Sequence, residues 1–241
     1  MFGESGGMRF RLPAMLVALA LAAPAAGATR NFGIEDFDRI RVEAPFRVNL
    51  KTGVAPFARA TGSAAALDGV AIHVEGRTLV VGRDSSNWGG YPGQDNGPIE
   101  VEVGTHDLSS ATLSGAGSLA IDKVKALAFD LSAEGSGAAS IGAADVDQLR
   151  LGVIGTASAT LAGRASKVTA LVRGIAALDA SALAAKDAAL TSEGAATIKA
   201  NVSNSVTIDG SGPATIALTG KPACTTRAGG SASVTGCRVA R

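Results

Sequence analysis

With two histidines, two cysteines, one tryptophan and one tyrosine among 241 residues, the chain nearly lacks the side chains from which most catalytic and metal sites are assembled. His73 and His106 stand alone, without cysteine or acidic residues at ligand spacing. Each reads as a solvated or hydrogen-bonded side chain rather than a ligand or a base. There is no Gly-x-Ser-x-Gly elbow between a strand and a helix, which removes the usual serine-hydrolase signature. There is no Cys-x-x-Cys pair, so neither a redox motif nor a zinc ribbon is indicated. No catalytic residue, cofactor or metal is therefore expected. Net charge is also scarce: 22 basic residues face 21 acidic ones. Setting aside residues 1–28, which hold Arg9, Arg11 and Glu4, leaves 20 of each. That balance excludes a nucleic acid or an anionic membrane recognised through bulk charge.

Long apolar runs are missing as well, so no permanent membrane helix is expected. The longest run, Leu12 to Ala23, follows the basic Met8-Arg9-Phe10-Arg11 and precedes the small-x-small site Ala26-Gly27-Ala28. This is the layout of a secretory signal. Residues 1–28 are expected to be removed, leaving Thr29 first, with translation starting at Met1 or Met8. No cysteine follows the run, so a bacterial lipoprotein anchor is not indicated. In an exported chain Cys224 and Cys237 read as a disulfide. A loop of that size is worth about 3 kcal/mol in the chain-entropy model, and it would staple the last repeat, which has a neighbour on one side only.

What is abundant is repetition. One phrase recurs seven times: Gly-Ala-Gly-Ser-Leu119, Gly-Ala-Ala-Ser-Ile141, Ala-Ser-Ala-Thr-Leu161, Gly-Ile-Ala-Ala-Leu178, Gly-Ala-Ala-Thr-Ile198, Gly-Pro-Ala-Thr-Ile216 and Gly-Ser-Ala-Ser-Val234. Its first positions (Gly115, Gly137, Ala157, Gly174, Gly194, Gly212, Gly230) lie 22, 20, 17, 20, 18 and 18 residues apart, within the range of a solenoid. Apolar and small residues alternate around each phrase with a period of two, as in Leu131, Ala133, Gly137, Ala139 and Ile141. That predicts strands with one buried face, stacked coil upon coil over a narrow core. A helical solenoid is excluded, since its repeat needs about 33 residues or more, and collagen by the irregular glycine spacing. Asp130, Arg150, Lys167 and Asp187 occupy one aligned place and read as a charge-compensated outer ladder. Glu134 and Asp209 share another, four coils apart, too far for a carboxylate pair.

Residues 32–104 alternate differently. Ile40, Val42, Phe46, Val48 and Leu50, then Val70, Ile72, Val74, Leu79 and Val81, then Ile99, Val101 and Val103 read as short antiparallel-style strands or as irregular opening coils. The polar loop 85–98 holds Trp88 and Tyr91. Beside Asn87, Gln94 and Asn96 these aromatics could stack on a sugar ring; alternatively they pack on the base of their own loop.

Three segments carry a resemblance: Phe37 to Leu50, Leu67 to Val81, and Pro98 to Val103 followed by Leu-Ser-Gly-Ala-Gly-Ser118. In this order they resemble the bacterial autotransporter-adhesin head or GIN-domain family (DUF2807), over residues 35–237. The resemblance implies an exported, all-β, right-handed parallel β-helix-like solenoid, here with about seven recognisable coils. It brings no family active-site residues.

The expected organisation is a signal at 1–28 and one domain at 29–241, β-rich over 29–104 and repeating over 105–241. The expected role is that of a non-catalytic, adhesin-like protein of the bacterial periplasm or cell surface, whose partner is a cell-surface glycan or an envelope protein. The alternative is a carbohydrate-active or carbohydrate-binding β-helix with its site near the 85–98 loop. An enzyme of that kind needs clustered carboxylates on one face, whereas the outward acids here are scattered.

Overall fold

The computed structural model describes residues 27–84 and 97–238. Its N-terminal portion comprises β1 (Ala28–Phe32), β2 (Arg39–Val42), β3 (Arg47–Thr52), β4 (Phe57–Gly62), α1 (Ala64–Asp68), β5 (Val70–Glu75), β6 (Thr78–Arg83), β7 (Glu100–Thr105) and β8 (Ser110–Gly115). The repeats follow as β9 (Ser118–Gly135), β10 (Ala138–Gly155), β11 (Ser158–Gly174), β12 (Ala177–Glu193), β13 (Thr197–Ser211), β14 (Thr215–Thr219), β15 (Ala223–Gly229) and β16 (Ser233–Thr235). All belong to one sheet, and from β8 onward every pairing is parallel. The expected all-β parallel solenoid is the architecture of the chain.

Each coil is almost continuous β structure, yet strict alternation of buried and exposed residues breaks three times per turn. In β9 the breaks are the consecutive exposed residues 122–123, 127–128 and 134–136. Two outward residues in succession mark a corner, because side chains on a straight strand alternate. Three short sides result, with Leu119 and Ile121, then Val124, then Phe129, Leu131 and Ala133 turned inward.

Glycine makes the third corner, and here the alignment of the copies differs from the spacing of the phrases. Gly115 pairs with Gly135 rather than Gly137, and Gly174 with Gly155 rather than Ala157, whereas Gly137 and Ala157 keep their expected alignment beside the pair Ala138 and Ser158. The stacked column is Gly115, Gly135, Gly155, Gly174, Gly194, Gly212 and Gly230, all with φ between 79° and 100°. Its spacings are 20, 20, 19, 20, 18 and 18. Two requirements select glycine: a backbone that L side chains avoid, and close approach, since a Cβ at Gly155 would lie 2.7 Å from the Gly135 carbonyl oxygen.

The second and third phrases were thus displaced by two residues. A slip of two leaves every side chain on its own face, so the predicted inward set remains buried while its neighbours change. Ile141 stacks on Ile121 and Leu161, and Leu119 on Ala139. The charge ladder divides into two rows: Asp130 faces Arg150, at 3.3 Å, while Lys167 faces Gln148 and Asp187. Glu134 shares its row with Arg173 and Glu193, and Asp209 lies in the row of Thr191.

The N-terminal portion is both things the sequence suggested. β2 and β3 form a coil stacked on β8 and β9, and β6 and β7 form a further coil on its other side. The chain therefore visits the inner of these two coils first. Antiparallel strands then close the end, β4 on β7, β1 on β4 and β5 on β6. The short α1 starts where the Ser63 side chain accepts a hydrogen bond from the Ala66 amide at 3.1 Å, a standard N-cap.

Among the described residues no helix is long and apolar enough to cross a membrane. Cys224 and Cys237 are joined in a disulfide, with a Cα–Cα distance of 5.7 Å. It ties the segment after β16 to β15, at the terminal coil.

Candidate functional site

A groove of about 730 Å³ runs across the first corner of three successive coils. Its floor is apolar: Leu108, Val124 and Ala144 are buried there, with Ala143 and Gly163 beside them. The rim is polar, formed by His106 and Asp107 at the N-terminal end, Lys123 and Lys125 on one coil, Asp145 on the next and Arg164 on the third.

The recess arises from a change in corner length. Two residues separate Ile141 from Ala144, but only Ala162 separates Leu161 from Gly163, and the pairing shifts there. The shorter corner brings the third coil tightly against the second. Gly163 permits this with φ 117°; any Cβ would lie 2.2 Å from the Ala144 carbonyl oxygen.

The N-terminal wall is fixed by hydrogen bonds. The Thr52 amide donates to Asp122 Oδ1 at 3.0 Å, and its hydroxyl donates to the Lys123 carbonyl at 2.9 Å. Asp122 Oδ1 also accepts from the Lys123 amide at 2.6 Å. The Gly53 amide donates to the His106 carbonyl at 2.9 Å. The Lys123 ammonium lies over this turn, 3.5 Å from where a Gly53 Cβ would stand.

Arg164 grips Asp145 through Nε and Nη2, both at 2.7 Å. This fork, helped by the charges of Arg164 and Lys125, holds the Asp145 carboxyl below the usual carboxylate range and raises the guanidinium. A carboxyl held low in this way favours its ionised form, which does not suit a general acid. Elsewhere Ser181 lowers Asp179, Ser205 lowers Asp187 and Arg173 lowers Glu193, in each case chiefly by a side-chain hydrogen bond. All these groups are outside the groove.

Trp88 and Tyr91 lie outside the described residues. The exposed His73 side chain bonds Glu75 at 3.1 Å on β5. His106 is the one histidine at the groove, and it reaches Asp36 at 3.3 Å. Among the described residues no group of three or more His, Cys, Asp or Glu could hold a metal ion. Sequence reasoning missed the groove because its lining comes from five separate segments. Two signals were present: the Lys123-Val124-Lys125 alternation and the glycine at 163, outside the repeating phrase.

Residues 36–222 match the family described as "Putative auto-transporter adhesin, head GIN domain", and the chain belongs to this family. Several solved structures share the fold. One, described as a putative adhesin from Bacteroides fragilis, superposes with a TM-score of 0.77 at 16% identity, over 87% of this chain and 96% of that one. A putative adhesin from Parabacteroides merdae gives 0.67 at 16%, over 88% and 96%. A putative lipid binding protein from Parabacteroides distasonis gives 0.64 at 18%, over 88% and 96%. No curated protein matches the chain.

Proposed function

We propose that this chain is an exported, non-catalytic binding protein of the bacterial periplasm or cell surface, with an adhesin-like role toward a cell-surface glycan or an envelope protein. In this reading residues 1–28 are a removable signal and 29–241 one domain. Membership of the adhesin-head family carries the reading. Two related folds are described as "putative adhesin" and one as "Putative lipid binding protein", descriptions that share binding rather than turnover. Among the described residues Asp145, Asp179, Asp187 and Glu193 are held below the usual carboxylate range, which supports binding over glycoside hydrolysis, where one carboxyl is held protonated. Cleavage after Ala28 leaves Thr29 to Phe32 of β1 available to pair with β4.

Cell fractionation with intact-mass measurement tests this. The expected species begins at or near Thr29 and lies outside the cytoplasm. A full-length cytoplasmic form alone overturns the export claim, and depolymerisation of an offered polysaccharide overturns the non-catalytic one.

A further inference from the structure

We propose that the corner groove framed by Lys123, Lys125 and Arg164 binds an acidic glycan, with the charged groups of successive sugars meeting the three cations and the sugar rings lying on the floor formed by Val124 and Ala144. The inference rests on the binding-protein reading above and assigns it a site and a ligand class.

Charge placement is the first ground. Lys123 and Lys125 alternate with buried Val124, so both project outward, about 7 Å apart along the strand. Lys125, Asp145 and Arg164 stand in register on three successive coils, which places Arg164 about 10 Å from Lys125. Among the described residues neither lysine makes an ion pair. Lys123 faces Ala143 in the next coil, so no acidic side chain stands opposite it there. Arg164 is held by Asp145 through two of its nitrogens and keeps its remaining N–H donors for another acceptor.

Shape is the second ground. The groove follows the stack over three coils and is floored by short side chains, which suits a flat, extended chain. The backbone positions of the three cations are about 7 to 10 Å apart, a spacing that the successive anions of a polymer match, whereas a single phosphate would have to draw the long side chains together. Parallel coils also fix the backbone positions of the three residues, so only their side chains need ordering on binding.

The test uses the mature full-length chain, with oligogalacturonate, a sulfated glycan and a sugar-phosphate polymer as probes, and dextran and phosphatidylglycerol vesicles as comparators. Binding of at least one acidic polymer is expected, weakened about tenfold or more by the double variant Lys123→Glu, Lys125→Glu. Lys186→Glu, an exposed lysine outside the groove, should leave it unchanged. Melting curves establish that all variants fold. Failure of every acidic polymer to bind overturns the proposal, as does equal loss with Lys186→Glu, equal retention of dextran, or capture of vesicles in place of polymer. An exported protein that binds none of them overturns this site alone. A cytoplasmic protein that binds an acidic polymer through these lysines retains the site and overturns the export reading.

Discussion

In the N-terminal coils the core is filled by Phe37, Phe46, Leu79 and Leu113 and closed by antiparallel strands; after Phe129 no aromatic residue occurs in the chain, and the interior consists of rows of Ala, Val, Leu and Ile. The first region is held by bulky side chains and by long-range hydrogen bonds between distant parts of the sequence, such as that from the Thr105 hydroxyl to the Phe37 carbonyl. The second is held by backbone pairing between neighbours about 20 residues apart, with side chains small enough for the walls to close. Each repeat coil thus depends on the coils beside it, while the N-terminal portion has a core that a single coil could not supply. The difference teaches where damage should spread and where it should stop.

The largest effect is expected from Ile198→Asp. Ile198 is fully buried between Leu178 and Ile216, and an unpaired carboxylate there should cost on the order of 4 kcal/mol or more. Hydrogen exchange should rise across β12 to β14 while β2, β3 and β7 stay protected. Simultaneous loss of protection at both ends would show that the two regions form one cooperative unit.

Next in size is Cys237→Ser. Removing the staple should cost up to about 3 kcal/mol, with fraying confined to 223–238. Two free thiols in oxidised protein, read by mass spectrometry, would contradict the disulfide.

Acid should separate the regions more gently. Asp145, Asp179, Asp187 and Glu193 all lie in the repeats, and all are held below the ordinary carboxyl range in the folded chain. A depressed folded value means that the stabilisation is complete above the unfolded value, about 4, and is lost as pH falls through the folded values. Melting temperature should therefore decline below about pH 4, modestly because the groups are exposed. A rise on acidification would contradict the sign.

Glu193→Ala should have the smallest effect. Its 2.6 Å bond to Arg173 joins two exposed side chains, a class of pair that contributes little. A melting temperature close to that of the parent is expected; a loss comparable to that of Ile198→Asp would mean that the inward and outward rows are exchanged.

Much of this was legible in the linear pattern. Alternation placed Ile198, Leu178 and Leu131 inside, and the residue classes around Gly212 and Gly230 announced corners. The pairing of particular coils was not legible, because repeats of Gly, Ala and Ser align almost equally well when moved by two, and such a slip changes no face. Gly135 and Gly137 illustrate it: both are glycines beside a serine, and they are told apart by the carbonyl each one meets and by the positive φ of Gly135. The groove was hidden for a different reason. Thr52, His106, Lys123, Asp145 and Arg164 have no sequence relationship, and the recess between them exists because one corner is a residue shorter than those on either side.

By itself, then, the sequence determined that the chain is a stack of β coils, which side chains face inward, and that its two cysteines belong to the last coil, since these follow from local alternation, glycine's backbone freedom and position along the repeat. The tertiary structure alone decided which glycine sits on which, that the first coil visited lies between two later ones, and that Lys123, Lys125 and Arg164 frame one groove. Those outcomes depend on contacts between residues 18 to 71 positions apart, and nothing in local patterning distinguishes one such pairing from its neighbour two residues away.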